Sequence, residues 1–135
     1  MIYKDLKAKF KTQWPDLRQI WLRNDTYIIP SLKEMESVVK QYVSDLPIIK
    51  GFNECENFAL FLHAEVKKHG VKSGLKHNWA FGDFICKKQS MFQGVVIHSA
   101  CICLCEEGFY IIEPMENNRI LKANEDYKPF FINLM

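Results

Sequence analysis

The sequence lacks several features that would assign a function class directly. No apolar run approaches the roughly 20 residues needed to span a bilayer, and the first residues lack the charged-then-apolar pattern of a signal peptide. The chain also has no glycine-rich phosphate loop and no dinucleotide fingerprint. Its charge is nearly balanced, with 18 Lys and Arg against 16 Asp and Glu, which argues against a nucleic-acid or membrane surface. We therefore expect a cytoplasmic protein that binds neither.

No linker is visible, and the composition is that of an ordinary globular protein. Hydrophobic residues make up 48% and charged residues 25% of the 135 positions. A chain of this length can bury a core without disulfide staples. We expect one domain over residues 1–135, with an N-terminal subregion at about 1–51 and, at about 52–135, a helix and sheet that carry the candidate site.

Five cysteines are present, an odd number. Cys101, Cys103 and Cys105 alternate along a predicted strand, so they point the same way and lie too far apart for an easy disulfide. We expect buried, reduced thiols in a reducing compartment. A zinc site at this C-x-C-x-C is the weaker alternative, because zinc ligands usually come in pairs from tight turns.

The apolar pattern predicts helices first and antiparallel strands afterwards. Helical spacing predicts a first helix at residues 3–13, and Ser31 with Glu34 forms a capping box for a second. A third helix is expected to begin at Cys55 and to end near Gly70. Short extended pieces are predicted at 19–22 and 27–29, and strands at 78–86, 94–105, 109–113, 119–121 and 129–135, the last as an edge strand. The predicted class is α+β, with N-terminal helices packed on an antiparallel sheet.

Cys55 is the candidate nucleophile because it falls where the third helix begins. Asn53 can cap that helix through its side-chain oxygen, and Glu56 can return a hydrogen bond to the cap. Unpaired N–H groups and the positive end of the helix dipole favour a thiolate in the first turn. The alternative is that Cys55 is a small apolar residue packed at a helix start.

His98 and Glu113 are the candidate partners of that thiol. His98 interrupts an otherwise apolar strand, and on its own it is explained by a core histidine bonded to the backbone. If residues 105–108 form a four-residue hairpin loop, Leu104 faces Phe109 and Glu113 falls on the sheet face of His98, diagonally across. Glu113 also follows an apolar run, where a carboxylate without a partner would be costly.

A helix-start cysteine, a strand histidine and a carboxylate on the next strand have the chain order of the papain-like and transglutaminase-like cysteine enzymes. In such a triad Cys55 would attack an acyl carbon, His98 would carry the proton and Glu113 would orient the imidazole. The oxyanion would be received by the backbone N–H of Cys55, aided by the side chain of Asn53 or Asn57.

Three segments, N-E-C-E-N-F-A-L-F-L, V-V-I-H-S-A and Y-I-I-E-P, also resemble a known family. They look like the papain-like cysteine peptidase domain at the C-terminus of the Marasmius oreades agglutinin and of related bacterial and phage proteins. The resemblance implies a Cys-His-Glu triad at Cys55, His98 and Glu113. It also implies calcium as a cofactor, although the residues themselves require none and none is assigned as a metal ligand.

The sequence thus predicts a cysteine peptidase-like hydrolase, a thiol protease that cleaves a peptide or isopeptide bond in a protein or peptide substrate through an acyl-enzyme. Acyl transfer, deamidation or peptidoglycan amide cleavage would use the same triad. An alternative from another class is a non-catalytic binding module that kept the fold. Trp79 would line the binding cleft of either an enzyme or a binding module, and its alternative role is core packing. The substrate and the oligomeric state are left open.

Overall fold

The computed structural model describes all 135 residues and consists mainly of α-helices and β-strands. The elements follow in the order α1 (Tyr3–Gln13), β1 (Gln19–Trp21), α2 (Leu32–Val39), α3 (Cys55–Lys72), β2 (Phe81–Ser90), β3 (Gly94–Cys105), β4 (Gly108–Glu113), β5 (Arg119–Lys122) and β6 (Tyr127–Asn133). Short 3-10 turns lie at Lys40–Tyr42 and Pro114–Glu116. Helix α1 and strand β3 have their predicted bounds, because apolar spacing and breaker residues mark both of their ends.

Helix α2 begins with the capping box that its sequence predicts. The Ser31 Oγ accepts the Glu34 N–H at 3.1 Å, and the Glu34 Oε1 accepts the Ser31 N–H at 3.1 Å. Two backbone donors that the helix itself cannot satisfy are thus paired.

The six strands form one mixed sheet in the order β1-β6-β2-β3-β4-β5. Strands β1 and β6 are parallel, and every other pair of neighbours is antiparallel. Strand β6 therefore lies inside the sheet, and the prediction of a C-terminal edge strand is wrong. The reason is a long-range pairing, in which Gln19 lies opposite Phe131, and no local pattern shows such a pairing.

Pro129 is accommodated in this inner strand by an irregularity in its pairing with β2. Ile85 lies opposite Phe131 and Cys86 opposite Pro129, so the register shifts between Ile85 and Cys86. A proline cannot donate to a strand ladder, and a bulge is one of the few ways to place it away from an edge.

Side chains of β3 alternate between two cores. One face packs against α1, in a cluster that includes Leu6, Phe10, Ala100, Ile102 and Leu104. The other face packs against α2 and α3, in a cluster that includes Met35, Leu62, Cys101, Cys103 and Cys105. The sheet is therefore covered by helices on both faces, and the three strand cysteines are buried as free thiols.

The predicted fold class is corrected by this architecture. The expected papain-like arrangement placed the helices ahead of a purely antiparallel sheet, whereas β1 precedes α2 and α3 and makes the sheet mixed. The sheet dominates the domain, and only three α-helices cover it. None of these helices has both the length and the apolar character needed to cross a membrane.

Candidate functional site

Cys55 is the first residue of α3, as the sequence predicts, but the cap is one residue later than expected. The N-cap is Glu54, and its N–H is accepted by the Asn57 Oδ1 at 3.3 Å. Asn53 is buried, and its Nδ2 donates to the Pro47 carbonyl at 2.8 Å. Asn53 thus closes the loop before the helix, and Asn57 completes the cap, so both predicted oxyanion or substrate contacts have structural roles.

Glu56 does not return a bond to the cap. Its Oε2 lies 3.5 Å from the Cys55 Sγ and accepts from the thiol. Glu56 is exposed and Cys55 is half-buried, so the thiol lies at the rim of the site with a carboxylate beside it.

His98 and Glu113 are in contact. Strands β3 and β4 pair with Leu104 opposite Phe109 and Cys101 opposite Ile112, the register expected from the sequence. The His98 Nε2 lies 3.0 Å from the Glu113 Oε1 and 2.9 Å from its Oε2. Because Nε2 is held by the carboxylate, Nδ1 is the ring nitrogen left for another partner.

Two further residues hold the Glu113 carboxylate, which is almost completely buried. The Tyr127 hydroxyl donates to its Oε1 at 2.5 Å, and the Lys88 Nζ lies 3.5 Å from the same oxygen. The Lys88 ammonium also lies 5.0 Å from the centre of the Tyr127 ring, within cation–π range. A buried carboxylate without such partners would be destabilising, so this network is what permits Glu113 in the core.

The pKa values of the pair follow from these contacts. Burial lowers the pKa of His98, but hydrogen bonds with Cys55 and Glu113 and the charge of Glu113 outweigh it and raise the pKa to about 9. Burial raises the pKa of Glu113, but the hydrogen bonds from His98 and Tyr127 have the opposite effect, and the net result is a lowered pKa. The pair is therefore an imidazolium and a carboxylate at neutral pH.

Sequence reasoning missed Lys88 and Tyr127. Lys88 follows the predicted end of its strand, and Tyr127 precedes the predicted start of the last one. Had β2 been extended by its alternation, Lys88 would have fallen on the face of Cys86, which lies opposite His98. No comparable signal exists for Tyr127, because its contact with Glu113 depends on the order of the strands in the sheet.

Trp79 lies elsewhere. It lines a cavity formed by the C-terminal half of α3, together with residues such as Lys67 and His69. The predicted cleft wall is therefore separated from Cys55 by most of the length of the helix.

The calcium that the family resemblance implies stays a prediction. No group of three or more His, Cys, Asp or Glu side chains lies close enough together to hold a metal ion, and Ca²⁺ takes six to eight oxygen ligands.

The chain matches no protein-family model and no curated protein. Two solved structures are among those to which it is similar. One is a complex of PSL1a with E64, with a TM-score of 0.73 and 19% identity over 98% of this chain and 49% of that one. The other is the Polyporus squamosus lectin bound to the human-type influenza-binding epitope Neu5Acα2-6Galβ1-4GlcNAc, with a TM-score of 0.73 and 16% identity over 96% of this chain and 48% of that one. The chain thus spans about half the length of either structure.

These comparisons correct the predicted family and enzyme class. One of these two structures is a lectin with a bound glycan. At 19% and 16% sequence identity, the likeness shows the fold alone. The assignment to papain-like cysteine peptidases, and with it the description as a hydrolase or thiol protease with a catalytic triad, is therefore withdrawn, and the likeness in fold to these two structures takes its place. The Cys55, His98 and Glu113 cluster stays a candidate site.

Proposed function

We propose that this chain is a non-catalytic binding module with a carbohydrate as its ligand, held at the cluster of Cys55, His98 and Glu113. The observation that carries the proposal is the likeness in fold to the Polyporus squamosus lectin, which is bound to a sialylated glycan. Because the chain spans about half of that lectin, the likeness supports a ligand class rather than one particular glycan.

The cluster has the groups that a sugar needs. The Lys88 ammonium has three N–H donors and lies 3.5 Å from the Glu113 Oε1, so at least two of its donors are available to ligand oxygens. The exposed Glu56 carboxylate supplies an acceptor at the rim. Phe52 is 76% exposed and precedes Cys55 by three residues, which offers an apolar ring to the C–H face of a sugar.

The cluster is also held rigidly, which reduces the ordering cost of binding. Glu113 on β4 accepts hydrogen bonds from Tyr127 and His98 and contacts Lys88. These three partners lie on β6, β3 and β2, so the cluster joins four strands. His98 and Lys88 are thereby fixed before any ligand arrives.

A binding titration tests the proposal. The Neu5Acα2-6Galβ1-4GlcNAc trisaccharide and its asialo disaccharide are titrated into the wild type, Lys88→Met and Lys87→Met by calorimetry. We expect Lys88→Met to bind about tenfold more weakly, because a charge-assisted hydrogen bond is lost. Lys87 is exposed on the opposite face of β2 and serves as the matched control. Binding of neither sugar, or equal loss in both variants, would overturn the proposal.

A second experiment tests the absence of turnover. The purified chain is incubated with a denatured protein mixture, with and without calcium, beside the Cys55→Ala variant. We expect no cleavage by either protein. Cleavage by the wild type that disappears in Cys55→Ala would overturn the proposal of a non-catalytic binding module.

E64, the small molecule of the PSL1a complex, supplies an independent probe of location. Its binding to the wild type and to Cys55→Ala is followed by mass spectrometry and calorimetry. Reversible binding that is lost in Cys55→Ala supports a ligand site at Cys55, whereas a covalent adduct at Cys55 would show a nucleophilic thiol and would count against a non-catalytic module. Binding that is unchanged in this variant counts against that location.

A further inference from the structure

A second cavity lies where the last turns of α3 meet the segment that leads into β2. Its volume is about 210 Å³. Since an α-helix rises about 1.5 Å per residue, Lys67 at this cavity lies about 18 Å along α3 from Cys55. The cavity shares no lining residue with the cluster around Glu113, so it is independent of the proposed function.

The charge of the cavity lining has one sign. Four of its residues are basic, and none is Asp or Glu: Lys67, His69, Lys76 and His77. Lys67 is half-buried and takes part in no ion pair. Burial and the neighbouring Arg23 both lower its pKa. A half-buried ammonium beside a second cation is unfavourable without a counter-charge, which an anionic ligand would supply.

The remaining walls suit a ring rather than a bare ion. Trp79 and Phe81 contribute aromatic surface, and Asn24 and Asn78 contribute amides. His69 is held by the Tyr42 hydroxyl, 2.9 Å from its Nδ1, which leaves Nε2 available to a ligand. The volume is below the roughly 300 Å³ at which drug-sized sites begin, so it fits one small ring.

We propose that this cavity binds a small carboxylate-bearing ring of the size of one acidic monosaccharide, with the carboxylate on Lys67 and the ring against Trp79. The Lys67 ammonium pairs with the ligand carboxylate, and the His69 Nε2 supplies a second hydrogen-bond donor. The aromatic wall sets the orientation, because only a ligand with an apolar face gains from Trp79.

The test uses free N-acetylneuraminic acid and its uncharged methyl ester. Binding is followed by NMR through the indole signals of the three tryptophans, of which Trp79 alone lines this cavity. Lys67→Met removes the charge and keeps the stem. Lys68→Met is the matched control, because Lys68 is exposed and paired with Glu65 at 3.1 Å.

We expect the acid to shift the Trp79 signal and to bind about tenfold more weakly to Lys67→Met, with Lys68→Met unchanged. The ester should show a similar loss on the wild type. Equal binding of acid and ester, or equal binding by Lys67→Met and the wild type, would overturn the inference.

Lys88→Met separates this inference from the proposed function. If the free acid loses affinity in Lys88→Met and not in Lys67→Met, it binds at the Glu113 cluster and the cavity proposal fails. If the trisaccharide loses affinity only in Lys67→Met, the cavity proposal stands and the proposed location at Cys55 fails.

Discussion

The Tyr127 hydroxyl reaches Glu113 across two intervening strands. Tyr127 begins β6 and Glu113 ends β4, and β2 and β3 lie between them in the sheet. In a flat sheet, strands three positions apart would be separated by about 14 Å, from a spacing of about 4.8 Å. The long side chains of Tyr127 and Glu113 extend towards each other over one face of the sheet, and their ends meet in a hydrogen bond of 2.5 Å.

Tyr127→Phe should destabilise the chain and raise the pKa of Glu113. The Tyr127 hydrogen bond is one of the contacts that lower this pKa, and a hydrogen bond to a charged group contributes about 1.5–3 kcal/mol. Urea unfolding and a carboxyl NMR titration measure the two effects. Tyr110→Phe is the control, because the Tyr110 residue is only half-buried on β4. Equal effects of the two substitutions would contradict the prediction.

Glu113→Gln should lower the free energy of unfolding by about 3 kcal/mol or more, because it leaves His98 and Lys88 without their buried counter-charge. Glu116→Gln removes an exposed ion pair with Arg119 and should cost less than about 1 kcal/mol. Chemical denaturation of both variants at pH 7 provides the measurement. A cost of Glu113→Gln no greater than that of Glu116→Gln would show that the network is not stabilising.

The stabilising effect of His98 should disappear at high pH. Its pKa is raised from 6.5 to about 9 in the folded chain, so its contribution is complete below pH 6.5 and is lost as the pH rises through about 9. The difference in unfolding free energy between the wild type and His98→Gln, measured from pH 6 to pH 10, should shrink over that window. A difference that stays constant would mean that the imidazole does not gain a proton on folding.

Gly82→Ala should be among the most destabilising single substitutions. A Cβ at Gly82 would lie 1.9 Å from the Asn133 carbonyl oxygen, so the backbone of β6 would have to move. We expect a loss of more than about 3 kcal/mol. Gly70→Ala is a control of opposite sign: it lies inside α3, its nearest neighbour would be Leu75 Cδ1 at 3.4 Å, and alanine favours the helix by up to about 1 kcal/mol. Thermal unfolding of both variants checks the contrast.

A thiol reagent should label one cysteine in the native chain and five in denaturant. Cys55 is half-buried, whereas the other four cysteines are buried. Burial raises the pKa of Cys86 to about 12 and the pKa of Cys101 well above its ordinary value, and the thiolate is the reactive form. Native Cys55→Ala should not be labelled at all. A second fast thiol in that variant would show that the strand cysteines are accessible.

The sequence by itself determined the elements and the relation between neighbouring strands. Apolar periodicity located α1, the Ser31 box located the start of α2, and the hairpin predicted at residues 105–108 placed Glu113 on the face of His98. These features depend on residues close together in the chain, where alternation and capping act directly.

Only the tertiary structure decided which distant residues complete the site and how the sheet is ordered. Lys88 and Tyr127 join Glu113 because the strand order places β2 and β6 on the β3 side of β4, and β6 becomes an inner strand because β1 pairs with it. The same packing places Trp79 at the far end of α3 from Cys55. Strand order results from contacts summed over the whole core, so a pattern that spans a few residues does not contain it.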